Sequence, residues 1–324
     1  VTDIPLLVPP TRQPVTQPYL TPAQFTAYPT WLDLDNLLPG GVASVQTDIL
    51  ADALLAATDW CVGECSDMPL NAHYVQGEQL RTRIGSGGRV YIKPRDIPVR
   101  AVTALSYGAD PSSLNALALP DNTWWNEDGR EQSFRPGGGI AQFTGPAIQF
   151  GQRLRTGLQV YVNWSYIAGY SSTVFSAAVA AAAMSVTVAD PTGICPGDTL
   201  RVYDEGTADP PTGASEALTV ASTYTPSVPT VPPTPTVIPL AAAAQYAHAQ
   251  YVGVTGMPRR LLQAVIAYTV ALLMRKDVSD EEPASAFGPA ARTVGDEGST
   301  AAKAGGLVND ARGWIASFRP TFRS

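Results

Sequence analysis

The sequence predicts an α+β fold: a core of helices and short antiparallel strands, plus an inserted small all-β domain, a barrel or sandwich. Three observations predict it. Two stretches, 44–65 and 257–276, space their apolar residues at three and four. Between them, residues 80–170 and then 171–253 change to a period of two, broken by Gly- and Pro-rich turns. The whole chain holds 28 glycines and 29 prolines in 324 residues with only 15% charged residues, a balance that favours turns and β-structure.

Residues 1–20 carry five prolines and no periodicity, which predicts an extended arm that orders by lying on a neighbour. Thr21, Pro22 and Gln24 then give an N-cap hydroxyl and a proline at the first helical position, predicting a short helix over 22–27. The first long helix follows at 44–65, on the apolar face Ile49, Leu50, Ala53, Leu54, Ala57, Trp60 and Cys61. Ser44 stands at its expected start, early acidic residues suit the positive end of the dipole, and Pro69 bars continuation.

Strands are predicted at 90–93, 102–107 and 158–164, with positive-φ turns at 85–88 and 136–139. Residues 171–253 form the inserted domain, with strands at 185–189, 199–203 and 216–221 and a proline-rich run over 225–239 leading to a last strand. The chain then re-enters the first domain, so the core comprises 21–170 and 254–276. The 257–276 helix starts near Gly256 and Pro258 and presents a wide apolar face that demands burial. Residues 277–306 read as a flexible acidic, small-residue linker, and 307–324 as a terminal segment that regains aromatic weight.

Composition also excludes function classes. A net charge of −7 repels phosphate backbones, which argues against a tight nucleic-acid binder but not against a wall past which DNA slides. The amino-terminal residues lack the basic start and unbroken apolar run of a signal peptide. Residues 261–274 are too short an apolar stretch for a membrane span, so no membrane partner is expected. An odd count of three cysteines, with Cys61 and Cys65 four apart on a helix, predicts free thiols in a reducing compartment.

No catalytic, cofactor or metal residues are assigned. The two histidines, His73 and His248, have no ligand at metal-binding spacing, and surface or interface histidines are the commoner case. The IGSGGR run (84–89) lacks the Lys-Ser/Thr of a phosphate cradle and reads as a turn. Asp33, Asp35 and Asn36 lack the remaining ligands of a calcium loop. Glu281 and Glu282 lie in the linker and read as solvated. Trp124, Trp125, Tyr161, Trp164, Tyr166 and Tyr170 suggest a sugar-stacking platform, with core packing the commoner role. At the carboxyl end, Trp314, Phe318 and Phe322 alternate with Arg312, Arg319 and Arg323, a mixture typical of interface anchors; the alternative is a packed terminal helix with a frayed end, but the aromatic pattern continues past Pro320, which ends the helix.

The segments YLTPAQF (19–25), SVQTDILADALLAATDWC (44–61), GRVYIKPRDIPVRAVTALSYG (88–108), VYVNWSYIAGY (160–170) and VTGMPRRLLQAVIAYTVALLMR (254–275) follow an order that resembles the head-tail connector (adaptor) proteins of long-tailed bacteriophages. The likeness is to the larger forms found in phages of actinobacteria and covers about 190 residues, leaving out 171–253 and the linker. In that family the IAGY-type end leads quickly to a proline-started helix, so 171–253 is an insertion here.

The resemblance implies a helical connector core without catalysis or cofactor. It implies a homo-oligomeric ring, usually dodecameric, in the virion neck, assembled in the host cytoplasm. Its partners would be the portal protein, the next neck or tail-completion protein, and genomic DNA passing through without sequence-specific binding. It assigns the portal interface to Trp314, Phe318, Arg319, Phe322 and Arg323, and we place Asp48, Asp52 and Asp59 facing the channel on charge alone. The alternative expectation is a host-glycan-binding virion protein acting through the inserted β-domain.

Overall fold

The computed structural model describes residues 18–28, 30, 43–65, 69–84, 90–116, 124–127, 131–134, 157–202, 204, 215–226, 228–275 and 300–318. The helices are α1 (Pro22–Thr26), α2 (Ala43–Glu64), α3 (Arg259–Arg275) and α4 (Thr300–Ile315), the last followed by a 3-10 turn, Ala316–Phe318. The first strands are β1 (His73–Arg83), β2 (Val90–Ile92), β3 (Val99–Asp110), β4 (Ser113–Ala116), β5 (Trp124–Glu127), β6 (Glu131–Phe134) and β7 (Gln159–Ala168). Then come β8 (Ser172–Val174), β9 (Ser185–Val188), β10 (Thr199–Val202), β11 (Glu216–Thr219), β12 (Thr236–Pro239) and β13 (Gly253–Thr255).

The architecture is mixed α+β with small antiparallel sheets and few helices, and the chain divides into two compact units. One unit comprises Val1–Tyr19, Leu32–Asp67 and Gln263–Arg319, and so holds α2, most of α3, and α4. In α2 the buried residues Leu50, Leu54, Ala57, Thr58, Cys61, Val62 and Cys65 follow the helical period. The Thr58 hydroxyl donates to Leu54 O at 2.9 Å and accepts from the Tyr19 N–H at 3.0 Å. Trp60 stacks on Tyr268 at 4.2 Å, and Ala271 of α3 packs with Ala304 and Val308 of α4 in one apolar cluster.

The other unit comprises Leu20–Trp31, Met68–Leu262 and Pro320–Ser324 and holds α1 and every strand among the described residues. One sheet has the order β1-β7-β3-β4, another β2-β6-β5, a third β11-β10-β13-β8, and β12 pairs with β9. Val75, Val99, Leu105, Val160, Val162, Trp164 and Tyr166 belong to one core cluster. Phe175, Val186, Val188, Leu200, Leu218 and Ile238 belong to a second, which also takes in Val254. At Gly77, φ of +63° accompanies a register shift between Val75 and Glu78, and the Gly77 N–H bonds Ser165 Oγ at 2.9 Å instead of the ladder.

Several expectations need correcting. The described strands do not close into a barrel, because β12-β9 remains a two-stranded ribbon beside the open β11-β10-β13-β8 sheet. Helix α2 starts at Ala43, which puts Ser44 inside the first turn, and that turn carries no acidic residue to meet the dipole. Helix α3 starts at Arg259 rather than 257, with Pro258 O accepting from the N–H groups of Leu261 and Leu262. Helix α4 begins at Thr300, inside the stretch read as linker, and runs past the expected boundary at 307.

The glycine turns at 85–88 and 136–139, the acidic trio at 33–36, the pair Glu281 and Glu282, and the 1–17 part of the arm lie outside the described residues. No helix among the described residues is long and apolar enough to cross a membrane.

Candidate functional site

Asp48, Asp52 and Asp59 are all exposed on α2. At about 100° per residue, steps of four and eleven residues bring the three within about 40° of one another around the axis. They form a stripe about 16 Å long at 1.5 Å rise per residue. Helix α2 carries no Lys or Arg, so no base on its own surface offsets them. Its remaining acid, Glu64, accepts from Arg312 Nε of α4 at 3.3 Å. The helix therefore gathers three carboxylates on one face without a base of its own beside them, a pattern suited to repelling polyanions rather than holding them.

At the other candidate surface, Trp314 lies in the last turn of α4 and Phe318 ends the 3-10 turn, both partly exposed. Arg319, Phe322 and Arg323 lie outside the described residues. Ala304, Val308, Ala311 and Ile315 are buried at spacings of four and three, so α4 is part of the helical core up to the residue after Trp314.

Two of the six aromatics of the expected platform belong to the core. Trp164 and Tyr166 are buried and stack at 4.2 Å, as packing inside a sheet requires. The side chains of Trp124 and Trp125 lie outside what is described, and Tyr161 and Tyr170 are half-buried.

Sequence reasoning missed two polar clusters, both built on histidines it placed at a surface or interface. His73 opens β1: its Nδ1 lies 2.8 Å from Asn71 O and its Nε2 3.0 Å from Asp96 Oδ2. Arg95 Nη2 also donates to Asp96 Oδ2 at 3.0 Å, while the Asp96 N–H donates to the Tyr166 hydroxyl at 3.2 Å. Burial raises the Asp96 carboxyl, but the hydrogen bonds from His73 and Arg95 outweigh it and hold the group below the usual carboxylate range. Burial pushes Glu78 up, against the hydrogen bond it accepts from the Arg95 N–H at 3.1 Å, and pushes the Tyr166 phenol up as well.

His248 is buried outright, with Asp204 Oδ2 3.1 Å from Nδ1 and Glu216 Oε1 2.6 Å from Nε2. Asp204 and Glu216 stand 44 and 32 residues before it, a separation that no local motif reveals.

Arg100 of β3 pairs with Asp198, the residue before β10, and the Cys195 N–H donates to the same carboxylate at 2.7 Å. This pair ties the strands before residue 171 to those after it. Cys61, Cys65 and Cys195 are free thiols; burial pushes Cys61 well up and Cys195 to about 11, so neither is poised as a thiolate nucleophile. No group of three or more His, Cys, Asp or Glu among the described residues is arranged to hold a metal ion.

No family model matches the chain, no curated protein matches it, and no solved structure matches it.

Proposed function

We propose that this chain is a structural virion protein, a head-to-tail connector whose copies form a ring under the portal, join capsid to tail and line part of the DNA channel. The observation that carries the reading is the acidic stripe Asp48, Asp52 and Asp59 on an α2 that has no basic residue. A wall past which DNA moves must not neutralise phosphates, because each neutralised phosphate releases counterions and adds affinity. The order of segments that resembles the adaptor family supports the same reading; those segments carry most of α1 and α2, then β2, most of β3, most of β7, and α3.

In this account Trp314 and Phe318, with Arg319, Phe322 and Arg323 beyond them, form the portal contact, and the 171–253 domain decorates the outside of the ring. A ring needs two different surfaces per subunit that close head to tail. Native mass spectrometry of the full chain tests it. A closed oligomer of fixed number, alone or on adding portal rings, expected to be a dodecamer, supports the connector, and a chain that stays monomeric even with portal rings present contradicts it.

One observation favours a second reading, host-glycan binding by the inserted domain. Tyr251 is 71% exposed although its backbone holds φ of +70°, a conformation in which a bulky residue is an outlier. Tyr246, 39% exposed, lies five residues before it. Glycan-array binding that is lost in Tyr251→Ala would favour this reading; an array without signal removes it.

A further inference from the structure

We propose that Glu78 is a proton-operated latch of the strand unit, set between β1 and the turn before β3: carrying a proton in mild acid it holds the two together, and ionised at neutral pH it weakens them. The strand register puts the carboxyl in this position. Val75, Glu78, Leu80 and Thr82 pair with Tyr166, Trp164, Val162 and Val160, all members of one core cluster, although 75 and 78 are three residues apart. The register shift between them, where Gly77 holds φ of +63°, turns Glu78 onto the core face; without it the strand's alternation would carry that side chain outward.

On that face the carboxyl is poorly matched as an anion. Its Oε1 accepts from the Arg95 N–H at 3.1 Å, but Oε2 is buried with no hydrogen-bond partner, and Trp164 across the ladder is 1% exposed. A buried charged oxygen without a donor is unfavourable, and protonation removes the charge. The charged and titratable groups around it are Tyr166 of β7 and Arg95 and Asp96 of the turn, with His73 on the far side of Asp96. Burial is the largest influence and raises Glu78; the Tyr166 hydroxyl, the Arg95 N–H and the Arg95 charge pull it down, and the Asp96 charge adds to the rise.

Asp96 moves the other way, held low by His73 and Arg95, so one cluster drives its two carboxyls apart. Asp96 is the standing charge and Glu78 the group that takes up a proton. A carboxyl raised in the fold binds its proton more readily there than in the unfolded chain. Its contribution to stability is therefore complete below the unfolded value of about 4.3 and is lost as pH rises through the folded one. The strand unit is fastened by Glu78 in mild acid, before Asp96 gives way at lower pH.

Carboxyl-carbon NMR of the full chain from about pH 3 to about pH 9, with thermal unfolding over the same range, tests the latch. Glu78 is expected to titrate above the ordinary glutamate value and Asp96 below the ordinary aspartate value. Glu78→Gln keeps the shape without the charge. It is expected to raise the unfolding temperature by about 3 °C at about pH 7.5 and to match the unmodified chain near about pH 4.5. Tyr166→Phe is expected to move the Glu78 midpoint up and Asp96→Asn to move it down, opposite shifts that burial alone does not produce. A Glu78 midpoint at or below the ordinary value, or a Glu78→Gln chain that is no more stable at neutral pH and keeps the same pH dependence, would overturn the proposal. Should Glu78→Gln fail to fold, the Glu78 midpoint in the unmodified chain decides it.

Discussion

Asp96 shows how much one buried carboxylate does in the strand unit. It accepts from His73 and Arg95 and its N–H meets Tyr166, so β1, the turn before β3 and the buried end of β7 converge on one residue. Asp96→Asn keeps the shape but removes the charge that both donors face, and is expected to cost about 2 kcal/mol in chemical unfolding. The folded-state carboxyl titrates below its unfolded value, so the unfolded chain binds more protons in acid. The Asp96 contribution is therefore complete above the unfolded value of about 3.9 and is lost as pH falls through the folded one. An unfolding series below about pH 4 is expected to show an acid limb that Asp96→Asn flattens. None of this was legible in the sequence, because Asp96 lies 23 residues from His73 and 70 from Tyr166. Proximity there is made by strand pairing, not by spacing.

Among the elements, those whose signals are local were legible. Thr21 caps α1 through the predicted hydroxyl, and Gln24 completes a capping box by returning a bond to the Thr21 N–H at 2.9 Å. Helix α2 falls within one residue of the periodic stretch that predicts it. Helix α4 was legible only as a packed terminal helix ended by Pro320, not in its start at Thr300: Gly305, Gly306 and Gly313 lower its intrinsic propensity, and its buried stripe begins with the small residue Ala304. Packing on the other helices, not propensity, holds it. Ile315→Ala is accordingly expected to cost about 3 kcal/mol in denaturant unfolding. Deleting 307–324 removes Val308, Ala311 and Ile315 together and is expected to unfold the helical unit, whereas deleting 319–324 leaves those residues in place. Beyond β7, Gly169 adopts φ of +86° and a Cβ there would clash with the Asn71 backbone carbonyl. Gly169→Ala is expected to lower stability by about 2 kcal/mol or more, read by thermal unfolding.

For the whole molecule, contacts put α2, α4 and most of α3 in one unit, and α1 with the described strands in the other. The long helices bury their apolar stripes on one another, so α2 shares a unit with α4 and most of α3 rather than with the strands that follow it in sequence. Composition and period predicted the α+β class and the β-character of 171–253, but which segments share a unit depends on contacts that no single window contains. The channel assignment makes its own prediction: replacing Asp48, Asp52 and Asp59 by Lys is expected to leave ring formation intact while creating salt-sensitive DNA binding, measured by gel shift. The central claim is the ring and its seat on the portal. Electron microscopy with class averaging of the purified chain, alone and mixed with portal rings, tests it most directly. The account predicts rotationally symmetric rings that cap the portal, and that capping fails when 319–324 are removed from an otherwise folded chain; isolated monomers indifferent to the portal would contradict it.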